Sequence, residues 1–212
     1  MALGASAFAP LASFAQQQQR VRRIGFLAGR SRPTSLNPDI FYDAFVQSMR
    51  ELGYVEGNNL AIEWRYADGK YDRFPGLAVE LVQMKPEVIV THTTPPTEAL
   101  QRATTTIPIV TAIVTDPVGA GFAASLARPG GNITGLSVVT VDVSPKYIEL
   151  LKTMIPRLSR VAILGNPDNS SHPAVLKSIQ TAAQVQRSSK LRTSLTLQRK
   201  CSTQPTITSM SM

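Results

Sequence analysis

The fold is decided by VRRIGFL, residues 21–27, together with LAIEWRY, residues 60–66. Each is a short run rich in β-branched and aromatic residues, and each predicts a β-strand. Between them, the residues from Asp39 to Leu52 place apolar side chains at helical spacing, and Gly53 marks the expected end of that helix. A strand, a helix and a second strand in this order predict a βαβ unit with parallel strands.

The same alternation continues along the chain. It predicts further strands at residues 88–90, 109–114, 132–139 and 160–164, and further helices at residues 72–84, 97–104, 119–127, 144–155 and 173–185. We therefore predict an α/β fold class, with Rossmann-like parallel sheets flanked by helices. In such sheets the crossovers are right-handed, and ligands bind at the carboxyl ends of the strands.

Four of the predicted strands end in polar loops, and these loops supply the candidate ligand contacts. The candidates are Arg30 and Ser31 after the first strand, Thr93 and Thr94 after the third, Thr115 and Asp116 after the fourth, and Asn166 and Asp168 after the sixth. The alternative for each residue is a plain helix cap, since Ser, Thr, Asp and Asn are the usual capping residues. Because Pro117 follows Asp116, we predict extended backbone at Asp116.

Composition and motifs exclude several classes of protein. The chain of 212 residues is 43% hydrophobic, enough for a globular core, and no apolar run is long enough to span a membrane. The single Cys excludes an internal disulfide, and His92 and His172 lie too far apart in sequence to indicate a metal site. Dinucleotide, phosphate-loop and nucleophile-elbow motifs are absent, so we expect no cofactor and no catalysis. His92 fits a ligand contact and a buried imidazole equally well.

The net charge of +8 is concentrated in the C-terminal residues. Residues 186–212 hold five basic residues, no acidic residue and no aromatic residue. Nucleic-acid modules usually combine basic and aromatic side chains on one face. We therefore expect no nucleic-acid partner.

Both ends of the chain differ in composition from its middle. Residues 1–19 resemble a signal peptide and a Gln-rich tether, because Ser13 and Ala15 fit the −3 and −1 positions of a cleavage site. The pattern is atypical or incomplete, since no Lys or Arg precedes the apolar run, and a disordered Ala-rich tail is the alternative. Residues 186–212 predict a basic, Ser/Thr-rich disordered tail, either a genuine one or the product of a shifted reading frame.

Several blocks of sequence resemble one known family. The longest is TDPVGAGFAASLARPGGNITGLS at residues 115–137, supported by RRIGFLAG at 22–29, ELGYVEGNNLAIEWRY at 51–66, TTIPIV at 105–110 and RVAILGNP at 160–167. Together they resemble the ABC transporter substrate-binding protein family, which includes tryptophan- and tyrosine-binding proteins. The resemblance implies a type I periplasmic binding fold, with a ligand held between two Rossmann-like lobes. It implies a complete first lobe over residues 20–115, a hinge or crossover region over 116–140 and an incomplete second lobe over 141–185.

The resemblance also implies a function. We expect a solute-binding component of an ABC import system that binds a small molecule, an amino acid among the candidates. Thr93 and Thr94, with the adjacent helix N-terminus, would bind a carboxylate, and Asp116 would face an amino or polar group. The implied partners are ABC permease and ATPase subunits, the implied location is periplasmic, and a shortened second lobe would weaken binding. The alternative is the ligand-sensing domain of a cytoplasmic regulator.

Overall fold

The computed structural model describes residues 21–187, 195–196 and 206–211. Up to residue 187, strands and helices alternate as the sequence predicts, except that no helix follows the strand that ends at Thr115. The strands are β1 Arg22–Ala28, β2 Leu60–Tyr66, β3 Val88–Thr91, β4 Ile109–Thr115, β5 Ile133–Val138, β6 Arg160–Gly165, β7 Leu195–Thr196 and β8 Thr206–Ser211. The α-helices are α1 Ile40–Glu51, α2 Phe74–Gln83, α3 Thr94–Ala103, α4 Thr140–Met154 and α5 His172–Arg187. A short 3₁₀ turn, Tyr71–Arg73, precedes α2.

A five-stranded parallel sheet forms the centre of the fold, in the order β2-β1-β3-β4-β5. Leu27 of β1 lies opposite Arg65 of β2 on one side and opposite Thr91 of β3 on the other. Because all five strands run the same way, their carboxyl ends meet at one edge of the sheet. The predicted α/β class, with a parallel sheet flanked by helices, is confirmed.

The main core lies between this sheet and helices α2 and α3. Leu27 and Ile89 from the strands and Leu81 and Leu100 from the helices are all fully buried. Burying a side chain of this size stabilises a fold by about 1.5–3 kcal/mol. Thr91 is also fully buried, and its hydroxyl donates a hydrogen bond to the Leu27 carbonyl at 2.9 Å. That bond fixes β3 beside β1 and so positions the loops that follow them.

Helix α1 packs on the opposite face, against β1 and β2. Phe45 of α1 packs with Phe26 and Trp64, with ring centroids 5.2 and 6.2 Å apart respectively. Further along the same face lies a groove of about 790 Å³ that includes Val110 and Leu136. Val110 is 37% exposed and Leu136 is 72% exposed.

The helix predicted over residues 119–127 is wrong, because the segment after β4 forms turns. Gly121 has a φ of 73°, in the left-handed region, and no α-helix continues through such a residue. The N–H groups of Phe122 and Ala123 both donate to the Pro117 carbonyl, at 2.8 and 3.1 Å. Small residues there provide a tight turn and not a helix.

The extended backbone predicted at Asp116 is also wrong. Its φ is 47°, despite the proline that follows. The Asp116 carboxylate accepts the Gly119 N–H at 2.9 Å, and its carbonyl accepts the Ala120 N–H at 2.9 Å. Aspartate tolerates this conformation because its short side chain bonds to the backbone of the same turn.

The second half of the chain contributes a helix pair and a smaller sheet. Helices α4 and α5 pack together, and β6 pairs antiparallel with β8, which also pairs antiparallel with β7. The sequence pattern gave no signal for β7 and β8. The signal-peptide-like segment at residues 1–19 and the rest of the predicted tail lie outside the described residues, and the lobe boundaries stay a prediction. None of the helices in the described ranges is long and apolar enough to cross a membrane.

Candidate functional site

A cleft of about 470 Å³ opens at the carboxyl edge of the parallel sheet. The loops after β1, β2 and β3 form its walls, which is the position expected for a ligand site in a parallel α/β sheet. Its lining residues are Gly29, Arg30, Ser31, Asp68, Gly69, Tyr71, Phe74, His92 and Thr93. The volume is within the usual range for small-molecule sites. Three predicted contacts, Arg30, Ser31 and Thr93, come together here.

Arg30 provides a cation on one wall of the cleft. Its Nη1 lies 3.1 Å from Asp39 Oδ1, and its guanidinium carbon lies 4.4 Å from the ring centroid of Phe41. The Arg30 side chain is 51% exposed. The ion pair and the ring hold the guanidinium in place, while the N–H groups that do not bond Asp39 can reach a ligand.

Asp68 provides an anion on another wall. It follows β2, and its carboxylate forms an ion pair with Arg73. The next residue, Gly69, donates its N–H to the Gly29 carbonyl at 2.8 Å and so joins the loops after β2 and β1. Sequence reasoning missed Asp68 and Tyr71, although the strand-end rule applies to β2 as well as to its neighbours.

Backbone strain is concentrated at this edge of the sheet. Three residues other than glycine have positive φ directly beyond the ends of β2, β3 and β4: Asp68 at 55°, Thr93 at 69° and Asp116 at 47°. Thr93 is the most unusual, because its β-branched side chain disfavours this region and its ψ is 164°. Strained residues cost about 1–3 kcal/mol each and are frequent at ligand sites. The strained residues therefore support a ligand site at the carboxyl edge of the sheet.

The start of α3 offers fewer donors than the sequence predicted. The second and third residues of α3, Pro95 and Pro96, have no backbone N–H to offer an anion. The hydroxyl of Thr93 does not cap the helix. The backbone N–H of Thr93 is already used, because it donates to the Ile113 carbonyl at 2.7 Å. In the first three residues of α3, a carboxylate would therefore find only the backbone N–H of Thr94, where a helix without prolines would offer three such donors.

Thr94 and Thr115 bond to each other beside the cleft. Thr94 is buried, and its hydroxyl accepts the Thr115 N–H at 3.4 Å. This contact joins α3 to the end of β4. Neither residue is among those that line the cleft, and Asp116 is exposed outside it.

The two candidates from the second half of the chain lie together in the loop after β6. The Asn166 side-chain oxygen accepts the Asp168 N–H at 3.0 Å, and the Asn166 N–H donates to His172 Nδ1 at 2.9 Å. The structure does not place them among the residues of the cleft. Their contact with a ligand stays a prediction.

His92 lines the cleft directly after β3, beside the loop after β1 that holds Arg30, and is half-buried. Burial lowers its pKa below the ordinary value of 6.5, the nearby Arg30 lowers the pKa further, and Asp39 opposes both effects. The imidazole is therefore neutral at pH 7. In the described part of the chain, no three His, Cys, Asp or Glu side chains come together as metal ligands.

Comparison with known proteins identifies the family of the chain. A family model described as "ABC transporter substrate binding protein" matches residues 37–196. A tyrosine-binding protein of Clostridioides difficile (strain R20291) is 34% identical over 123 residues, which cover 58% of this chain and 35% of that protein.

Two solved structures are similar across most of the described chain. A conserved domain protein from Vibrio cholerae O1 biovar El Tor has a TM-score of 0.65 and 28% identity, over 79% of this chain and 55% of that one. A domain from Streptococcus pneumoniae in complex with L-Trp has a TM-score of 0.61 and 26% identity, over 78% of this chain and 54% of that one. The chain spans about half the length of these structures and about a third of the tyrosine-binding protein. The structural likeness confirms the predicted type I periplasmic binding fold.

Proposed function

Since the chain belongs to the ABC transporter substrate binding protein family, we propose that its cleft binds a free amino acid. The observation that carries this proposal is the opposite charge on two walls of one cleft, Arg30 on the first and Asp68 on the second. An amino acid carries both charges at neutral pH. Its carboxylate would bind the Arg30 guanidinium, and its ammonium group would bind the Asp68 carboxylate.

The cleft also has an aromatic wall. Tyr71 is half-buried, and its ring centroid lies 5.3 Å from that of Phe74. An aromatic ligand side chain packs well against such a pair. The printed names of two similar proteins, from Clostridioides difficile and Streptococcus pneumoniae, mention tyrosine and L-Trp. We therefore propose tyrosine and tryptophan as the first ligands to test.

The remaining candidate contacts would act when a second lobe closes on the ligand. Asn166 and Asp168 would then reach the ligand from the loop after β6, since closure around a ligand is a common hinge motion. The role of Asp116, Thr94 and Thr115 would be structural: their hydrogen bonds would fix the loops at the carboxyl edge of the sheet.

The biological role that fits this binding is solute capture for import. We propose that the protein catalyses no reaction and delivers its ligand, outside the cytoplasmic membrane, to ABC permease and ATPase subunits. Family membership supports this role. Cell fractionation tests it: recovery outside the cytoplasm is expected, and recovery in the cytosol would favour a sensor of the same ligand.

Calorimetric titration of the chain with each of the common amino acids tests the binding site itself. We expect binding of one or both aromatic ligands, and we expect Arg30→Met to weaken it by about tenfold or more, since a hydrogen bond to a charged group contributes about 1.5–3 kcal/mol. Arg50→Met is the matched control, because Arg50 lies on α1 and outside the cleft. Failure of every amino acid to bind would overturn the proposal.

A further inference from the structure

His92 has unused hydrogen-bonding capacity inside the cleft. It comes directly after β3 and lines the cleft together with Arg30. Within residues 21–187 its imidazole has no hydrogen-bond partner. A neutral imidazole offers one N–H donor and one acceptor nitrogen. A polar ring without a protein partner, half-buried in a ligand-sized cleft, points to contact with the ligand.

The charges around His92 decide which ligand group it meets. Arg30 and Asp39 act on it from the loop after β1 and the first turn of α1. Asp68 and Tyr71 line the cleft from the segment after β2. The carboxylates of Asp39 and Asp68 are each already paired with an arginine. Arg30 is the cation that acts on His92, and its half-exposed guanidinium keeps N–H groups that a ligand carboxylate can approach.

We propose that His92 and Arg30 bind the ligand carboxylate together, and that His92 takes up a proton as the ligand binds. The inference rests on the proposed function, because it requires a carboxylate ligand in this cleft. In the free protein, burial and the Arg30 charge lower the pKa of His92 and so favour the neutral imidazole. A carboxylate placed between the two side chains reverses that balance, because a negative charge within about 4–6 Å favours the imidazolium.

Proton uptake has a measurable consequence. By linkage, a ligand that raises the pKa of His92 binds more tightly as the pH falls, and a rise of about one unit corresponds to about a tenfold gain in affinity. The α-amino and α-carboxyl groups of a free amino acid do not titrate between about pH 5 and pH 8, where histidine does. A pH-dependent affinity in this range therefore reports on the protein.

Calorimetric titration with L-tyrosine and L-tryptophan, from about pH 5 to about pH 8, tests the inference in the full chain. Parallel titrations in two buffers of different ionisation enthalpy count the protons taken up. We expect the affinity of the unmodified protein to rise by about tenfold as the pH falls, with proton uptake on binding. His92→Gln should remove both effects. His172→Gln is the matched control and should keep both, since the Nδ1 of His172 already accepts the Asn166 N–H.

Each outcome has one meaning. Binding that is independent of pH and buffer, or a pH dependence that survives in His92→Gln, overturns the inference and leaves the proposed function intact. Binding of no amino acid overturns the proposed function and the inference with it. If His92→Gln does not fold, as judged by circular dichroism, the His92 ring is titrated by NMR in the unmodified protein. A higher pKa in the ligand complex supports the inference, and an unchanged pKa overturns it.

Discussion

Arg30 Nη1 lies 3.1 Å from Asp39 Oδ1, and the same carboxylate oxygen accepts the Phe41 N–H at 3.0 Å. One side chain therefore caps α1 and orients the cation of the cleft. The local start of a helix and the geometry of the candidate site depend on the same residue.

The two roles of Asp39 can be separated by two substitutions. Asp39→Asn keeps a good capping residue and loses the ion pair, so we expect it to lower the free energy of unfolding by less than about 1 kcal/mol. Asp39→Ala loses both and should cost about 1–2 kcal/mol. Urea unfolding followed by the fluorescence of Trp64 gives both values. Equal costs for the two variants would show that the cap contributes nothing.

Thr93 is expected to reduce the stability of the protein. Its φ of 69° and ψ of 164° lie in a region used almost only by glycine. We expect Thr93→Gly to raise the free energy of unfolding by about 1 kcal/mol or more, because the strain is relieved. Thr93→Ala keeps a Cβ and is the matched control. If glycine and alanine give the same stability in urea unfolding, the strain at Thr93 is not significant.

Much of the fold could be predicted because hydrophobic periodicity determines it. The strand at 60–66 has the predicted bounds, and the helix after Asp39 begins and ends where its cap and Gly53 indicate. Periodicity carries no information about positive φ, so the turn through Gly121 was predicted as a helix. The wrong backbone at Asp116 has another cause, because the preference of a residue before proline for extended backbone takes no account of the bond from the Gly119 N–H to the Asp116 carboxylate.

The candidate site was harder to predict than the fold. Polar strand ends identified Arg30, Ser31 and Thr93 correctly as neighbours in one cleft. Polar strand ends alone do not show which side chains face the cleft. Thr94, for example, has its hydroxyl bonded to the N–H of Thr115, at the end of a neighbouring strand. Sequence reasoning also missed Asp68, whose place in the cleft depends on the loop that Gly69 fixes to Gly29.

We expect His92 to make the free energy of unfolding depend on pH. Its pKa in the folded protein is lower than the unfolded value of 6.5, first because of burial and then because of Arg30. Between the two pKa values the unfolded chain binds a proton that the folded chain does not, so stability falls as the pH falls below about 6.5. It levels off once the pH is below the folded pKa.

Urea unfolding across this range, compared between the unmodified protein and His92→Gln, checks the effect. The variant should lose this part of the pH dependence. An identical pH profile in both proteins would show that His92 titrates normally.

Tyr66 should make the free energy of unfolding depend on pH in the alkaline range. Burial is the main cause that raises its pKa from 10.0 to about 12, and the nearby Tyr42 adds to the effect. Because the folded pKa is above the unfolded one, the stabilising contribution is complete below pH 10 and is lost as the pH rises towards about 12. Burial raises the pKa of Tyr42 as well, so tyrosinate absorbance should show late titration, and Tyr66→Phe should remove the part that titrates at about pH 12. Tyr147→Phe, at a residue that is 58% exposed, should leave that part in place.

We expect the ligand to bind in the cleft at the carboxyl edge of β1, β2 and β3. Titration of the isotope-labelled chain with L-tyrosine, followed by NMR amide shifts, tests it most directly. We predict that the largest shifts map to residues 29–31, 68–71 and 92–93, around Arg30, Asp68 and His92. Shifts that map instead to the groove around Val110 and Leu136, on the face of the sheet that α1 packs against, would contradict it.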